Sequence, residues 1–142
     1  MATGGILTQG NEIGVAQLEE AEMRAAIEEA DKAGKLTAVH AHGASGIKNG
    51  VRAGVHSVEH AYFLDDDGID LMLKRNVWLV PTAVAVDLVV KNGIEAGIPA
   101  DVVEKAEEAI ESQRATCRNA LGSGVRIAMG TDAGTPLSLI HI

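Results

Sequence analysis

The chain is poor in several residue classes at once. It has one cysteine (Cys117), three aromatics (Tyr62, Phe63 and Trp78) and three prolines in 142 residues. A lone cysteine excludes an internal disulfide framework and a cysteine-rich zinc module. Bases are outnumbered by acids, 12 to 20, for a formal net charge of −8. Proteins that grip phosphate backbones present dense Lys/Arg patches, so no nucleic-acid partner is expected. Apolar runs are short and interrupted by charge, so no membrane partner is expected either. Residues 1–20 carry neither the basic start nor the apolar stretch of a signal peptide, and nothing in the sequence assigns a compartment. There is no glycine-rich phosphate cradle or dinucleotide fingerprint. Asp65-Asp66-Asp67 lacks the calcium-loop pattern and reads as a solvated helix start. What remains is a Gly/Ala/Val-rich, mildly acidic chain, long enough for one domain and expected to be soluble.

Short apolar runs alternate with helical stretches, which predicts an α/β fold with a parallel sheet. Helical spacing of Met23, Ala26, Ile27 and Ala30 predicts a helix over 17–33, ended by Gly34. Leu36–His40 reads as a strand, 44–53 as a helix ended by Gly54, and Val55–His60 as a second strand. Residues 68–75 suit a short helix, and Val77–Val80 a third strand closed by Pro81. A long helix is expected over 100–121, with Val103, Ala106, Ile110, Cys117 and Leu121 on its buried stripe and Pro99 near its first turn. Gly122 and Gly124 end it, and Val125–Met129 reads as the last strand. The runs are mostly apolar, as in strands buried on both faces.

Chemistry-bearing residues recur at the C-terminal ends of these runs: His40-Ala-His42, Glu59-His60, Pro81-Thr82 and Gly130-Thr-Asp132. In a (β/α)8 barrel those ends form the active-site mouth. Imidazole and carboxylate together suit a metal such as zinc, which lowers the pKa of bound water. A nearby aspartate can take that water's proton and pass it to a leaving group. His42 is expected to face away from His40 along the run, turning back only where strand becomes loop. His56 is expected at the surface or barrel wall, and Cys117 in the core.

The run Val39-His-Ala-His-Gly43, followed by Gly46-Ile47, Ala53-Gly54-Val55 and Ser57-Val-Glu-His-Ala61, resembles the amidohydrolase superfamily. Within it, the imidazolonepropionase-like and Xaa-Pro dipeptidase-like branch is nearest. Leu79-Val-Pro-Thr82 and Gly130-Thr-Asp-Ala-Gly134 fit the same branch. The resemblance covers about residues 1–136. It implies a partial (β/α)8 barrel, roughly strands 4 to 8, all parallel. It also implies a metal-dependent hydrolase that cleaves a C–N bond in a small-molecule amide or dipeptide substrate. The cofactor would be a divalent metal, zinc before others. His40 and His60 would be metal ligands from the fifth and sixth barrel strands. Asp132 would be the eighth-strand ligand and general base, and His42 would lie on the substrate side.

Two family features have no counterpart in the chain. One is the first-strand His-x-His pair. The other is a carboxylated bridging lysine, which in the family pattern stands two residues before the segment matching Met1-Ala-Thr-Gly-Gly5. Met1 therefore reads as an internal methionine taken as a start. Leu137-Ser-Leu-Ile-His-Ile142 is what a transposase sequencing adapter would encode, so 137–142 reads as a non-native tail and His141 receives no role. With three of six metal-site residues, the chain is expected to be inactive alone, poorly folded, or self-associated through open barrel edges. Two other readings stay open: a half-barrel subunit that needs a partner chain, and a non-metal lyase or aldolase segment using His and Asp for proton transfer.

Overall fold

The computed structural model describes residues 1–8 and 10–133; the proposed tail at 137–142 lies outside them. Helix α1 (Glu20–Lys32) is followed by strand β1 (Ala38–Gly43), helix α2 (Ala44–Ala53), strand β2 (Ser57–Phe63) and helix α3 (Asp66–Arg75). Strand β3 (Trp78–Val80), helix α4 (Ala83–Asn92) and helix α5 (Ala100–Ser123) complete the order. The strands lie side by side as β1-β2-β3, both pairings parallel. Two further stretches extend the sheet. Beside β1, the Ala2 N–H donates to the His40 carbonyl at 2.8 Å. Beyond β3, Leu79 bridges Ile127 in parallel. A three-stranded parallel sheet with helices between its strands, flanked on either side by these two stretches, is a partial (β/α)8 barrel.

Local chemistry explains the element ends. Glu19 and Glu22 form a capping box at the start of α1. The Asp65 carboxylate accepts from the Gly68 N–H at 2.8 Å and caps α3. Gly54 ends α2 at φ 108°, a conformation that an L side chain resists. At the end of β1 a Cβ on Gly43 would overlap the Gly14 carbonyl oxygen. The absence of a side chain there lets the loop before α1 fold directly onto the strand end.

The core has two parts. Ile47, Val51, Val58, Met72 and Leu79 are fully buried between the sheet and helices α2 and α3. A second cluster joins Ile6, Tyr62, Val86 and Val89 to Val102, Val103 and Ala106 of α5. Burying each such Leu, Ile or Val side chain contributes about 1.5–3 kcal/mol.

Several expectations need correction. Strands β1 and β2 start two residues later than expected and run three residues further, so His40 and His60 stand within the strands rather than at their last residue. Helix α4 was not expected: Ala83-Val-Ala-Val-Asp-Leu-Val-Val is apolar almost throughout and shows no stripe, yet only Val86 and Val89 are buried. On α5 Val103 and Ala106 of the expected stripe are buried, but toward its C-terminal half the buried face is turned from that stripe. Val102, Ala109, Gln113, Thr116 and Ala120 face inward, while Leu121 is 68 % exposed and Cys117 is half-buried. Gly122 lies inside that helix and Gly124 alone caps it. The expected strand at 125–129 is reduced to one bridge, held by Leu79 N–H to Arg126 and Ala128 N–H to the Leu79 carbonyl. Among the described residues no helix is long and apolar enough to cross a membrane.

Candidate active site

The site starts from the geometry of β1. Residues two apart on a strand share a face, and β1 continues to Gly43. His40 and His42 therefore lie on the same side, ring centroids 4.7 Å apart. The expectation that His42 turns away from His40 is wrong, for that simple reason.

Strand β2 supplies the next groups through an irregularity. Ala41 pairs with His60 but Gly43 pairs with Phe63, so three steps on β2 oppose two on β1. The extra residue is taken up where His60 (φ 73°) and Ala61 (φ 52°) adopt left-handed backbone. As a result His60, Ala61 and Tyr62 are all buried in succession instead of alternating. The His60 ring comes within 4.5 Å of His40 and 5.0 Å of His42, and the Tyr62 ring within 4.5 Å of His42.

These rings line a cavity of about 200 Å³. Asp132 stands on its lip, exposed, with a left-handed backbone at φ 54°. Ile6, Val86 and Val89 make an apolar part of its lining. Hence the four residues singled out in the sequence, His40, His42, His60 and Asp132, meet at one place. His56 does not join them. It lies exposed before β2, and its Nδ1 accepts from the Thr37 N–H at 3.2 Å.

The polar bonding of the cluster is uneven. His60 Nδ1 is 2.6 Å from Thr82 Oγ1. The His42 N–H donates to Thr3 Oγ1 at 2.8 Å, which ties β1 to the N-terminal segment. By contrast, His40 Nε2 and His42 Nδ1 are buried without a hydrogen-bond partner. Burial first, then the neighbouring imidazoles, hold His40 down to about 4 and His42 down to about 3. Burial also lowers His60, with Asp132 opposing it. All three rings are therefore neutral near neutral pH, the state in which an imidazole can accept a proton or ligate a cation. Burial pushes the Tyr62 hydroxyl up to about 12, against the pull of the Thr82 hydroxyl.

Two residues of the site were not assigned a role from sequence. Tyr62 follows His60 by two, a spacing that alone would suggest a shared face. Thr82 stood out only as the polar end of its strand.

Among the described residues no group of three or more His, Cys, Asp or Glu is already arranged to hold a metal ion. The donors nevertheless fit one in kind. An unpartnered buried nitrogen on His40 faces Gly5, where an added Cβ would stand 3.5 Å from Nε2. Imidazole nitrogens beside a carboxylate are a zinc-type donor set.

Comparison with known proteins agrees with this geometry. The model of the amidohydrolase family matches residues 1–141. Ochratoxinase of Aspergillus niger is 28% identical over 141 residues, covering 98% of this chain and 29% of that protein. Among solved structures, a Xaa-Pro dipeptidase with methionine bound in its active site is 38% identical with a TM-score of 0.85, over 94% of this chain and 33% of the other. The A. niger ochratoxinase structure gives 27% and 0.88, over 96% and 31%. A prolidase complexed with n-methylphosphonate-l-proline gives 32% and 0.88, over 93% and 32%. The chain thus spans about a third of the length of these relatives. With a family model matched from end to end and a fold shared at this level of identity, the chain belongs to the amidohydrolase family.

Proposed function

We propose that the chain carries part of the active site of a metal-dependent hydrolase that cleaves an amide or peptide C–N bond beside an apolar group. The observation that carries this reading is the meeting of three buried, neutral imidazoles and Asp132 on one cavity, with two imidazole nitrogens unpartnered. His40, His60 and Asp132 would hold a divalent cation, zinc before others. When bound, such an ion activates water and polarises the scissile carbonyl.

The chain's own residues have distinct tasks around it. The Asp132 carboxylate, exposed on the lip, can take a proton from the attacking water and return it to the leaving nitrogen. His42, held neutral by burial, offers an N–H toward oxygen charge that develops on the carbonyl. Ile6, Val86 and Val89 exclude water and fit an apolar substituent. The methionine and the proline phosphonate in the two relatives' structures support an apolar neighbour to the cleaved bond. With about a third of the relatives' length, the chain alone is expected to bind zinc weakly and to lack amidase activity.

The test is a zinc titration followed by calorimetry on the 142-residue chain and on its His40→Ala/His60→Ala variant. Binding by the chain that disappears in the variant supports the reading. Equal binding by both contradicts the ligand assignment, and zinc-dependent amidase activity of the purified chain contradicts the partial site.

A further inference from the structure

Between Thr3 and Ala16 the chain leaves the sheet and returns to it. An antiparallel bridge joins these two residues. Two backbone bonds, from the Gly4 N–H to the Val15 carbonyl and from the Gly14 N–H to the Gly4 carbonyl, close the base of the loop. Its first limb borders the cavity. Gly5, Ile6, Leu7 and Thr8 all line it, and a Cβ on Gly5 would stand 3.5 Å from His40 Nε2.

Beyond its base the loop has few anchors. Ile6 and Ile13 pack with Val102, Val103 and Ala106 of α5. Among the described residues, no backbone hydrogen bond joins residues 5–8 or 10–13 to the rest of the chain. A segment with so few backbone bonds opens readily unless something else holds it.

Lys105 is that something. From α5 its Nζ donates to the Thr8 carbonyl at 3.2 Å and to the Asn11 carbonyl at 3.0 Å. Its charged neighbours make the choice of partners informative. Asp101 lies four residues before it and Glu108 three after it, the spacing of helical ion pairs. Among the described residues Lys105 nevertheless forms a salt bridge with neither. A half-buried ammonium that passes over two carboxylates on its own helix for two carbonyls more than 90 residues away in sequence is bonded for position, not for charge neutralisation.

We infer that Lys105 is a positioning residue. By bridging the Thr8 and Asn11 carbonyls it holds the limb carrying Ile6, Leu7 and Thr8 against the imidazole cavity and keeps water from His40. That the cavity is catalytic rests on the function proposed above; the clasp itself does not.

The test is hydrogen exchange, read by mass spectrometry on the full chain without metal, for the parent, Lys105→Met, Lys105→Arg and Glu108→Gln. Methionine keeps an unbranched apolar stem and loses the donors, whereas arginine still offers several. In K105M the loop amides should exchange roughly ten- to hundredfold faster, as expected for the loss of charge-assisted hydrogen bonds, while β2 and α2 keep the parent's rates. Diethyl pyrocarbonate should also modify His40 faster in K105M. K105R and E108Q should behave like the parent. Unchanged loop exchange in K105M, or an equal rise in E108Q, overturns the inference. So does a K105M whose β2 amides speed up as much as the loop's, which would make Lys105 a general stabiliser. The ¹⁵N-lysine spectrum of the parent gives a second check: a hydrogen-bonded Lys105 ammonium exchanges slowly with water and shows a signal that K105R lacks. Parent and K105R spectra without that difference overturn the inference whether or not K105M folds. If the loop responds as stated but the parent binds no zinc, the Lys105 role stands and the metal reading fails.

Discussion

The back of the partial barrel and its mouth obey different rules. At the back, Ile47, Val51, Val58, Met72 and Leu79 are fully buried, and the helices over them have ordinary caps at Asp65, Gly54 and Asn76. At the mouth stand four of the five non-glycine residues with left-handed backbone among the described residues: His60, Ala61, Thr82 and Asp132. The fifth, Asn76, is one of those helix caps. The mouth also holds the buried imidazole nitrogens that lack partners. The regular half supplies stability, and the irregular half spends some of it on arranging polar groups, which is where departures from local rules concentrate in functional proteins.

Leu79→Ala should sharpen this contrast most. Leu79 is the fully buried hinge between β3, β2 and Ile127, and its loss should cost about 2–5 kcal/mol in urea unfolding. A variant within about 1 kcal/mol of the parent would mean that the back is not the stabilising half.

Mild acid should act first on the mouth, because the Asp65 carboxyl at the back, held below its ordinary value of 3.8 against the effect of burial by Lys48 and the Gly68 N–H, takes up its proton only at lower pH. His40 and His42 have folded values of about 4 and about 3, below the ordinary imidazole value of 6.5. Below 6.5 the unfolded chain therefore binds protons that the folded chain refuses. Stability is fully present above that pH, declines as pH falls toward 4 and then 3, and levels off below. Unfolding midpoints that stay flat from pH 7 to about 4 would remove the buried neutral imidazoles from the picture.

The smallest effect has the opposite sign. His42→Phe replaces an unpartnered polar ring, packed against Tyr62, by an apolar one. It should leave stability unchanged or raise it by about 1 kcal/mol, and should weaken the acid dependence. A clear loss of stability would place His42 in the same class as the residues of the back.

Much of the back was legible in the sequence because its rules are periodic. Helix α2 has the bounds expected for it, 44–53, since Gly43 and Gly54 bracket a clean helical pattern. His40, His60 and Asp132 were found because each follows an apolar run. The mouth was less legible. Nothing in Ser57-Val-Glu-His-Ala-Tyr-Phe announces that His60 and Ala61 take left-handed backbone, so the burial of Ala61 between His60 and Tyr62 could not be read. Helix α4 was hidden by its own composition, because a nearly uniform run of Val and Ala has no stripe to detect. The inward face of α5 was misjudged by about one position because Gln113 and Thr116, polar in type, are buried for the bonds they make to Pro81 and Tyr62.

X-ray absorption of the zinc-loaded chain tests the three-imidazole mouth most directly. The expected spectrum shows imidazole nitrogen scattering near 2.0–2.1 Å, about the usual zinc–histidine distance, and loses it in the His40→Ala/His60→Ala variant. A first shell of oxygen alone, or the same imidazole signal in the variant, would contradict the assignment of His40 and His60.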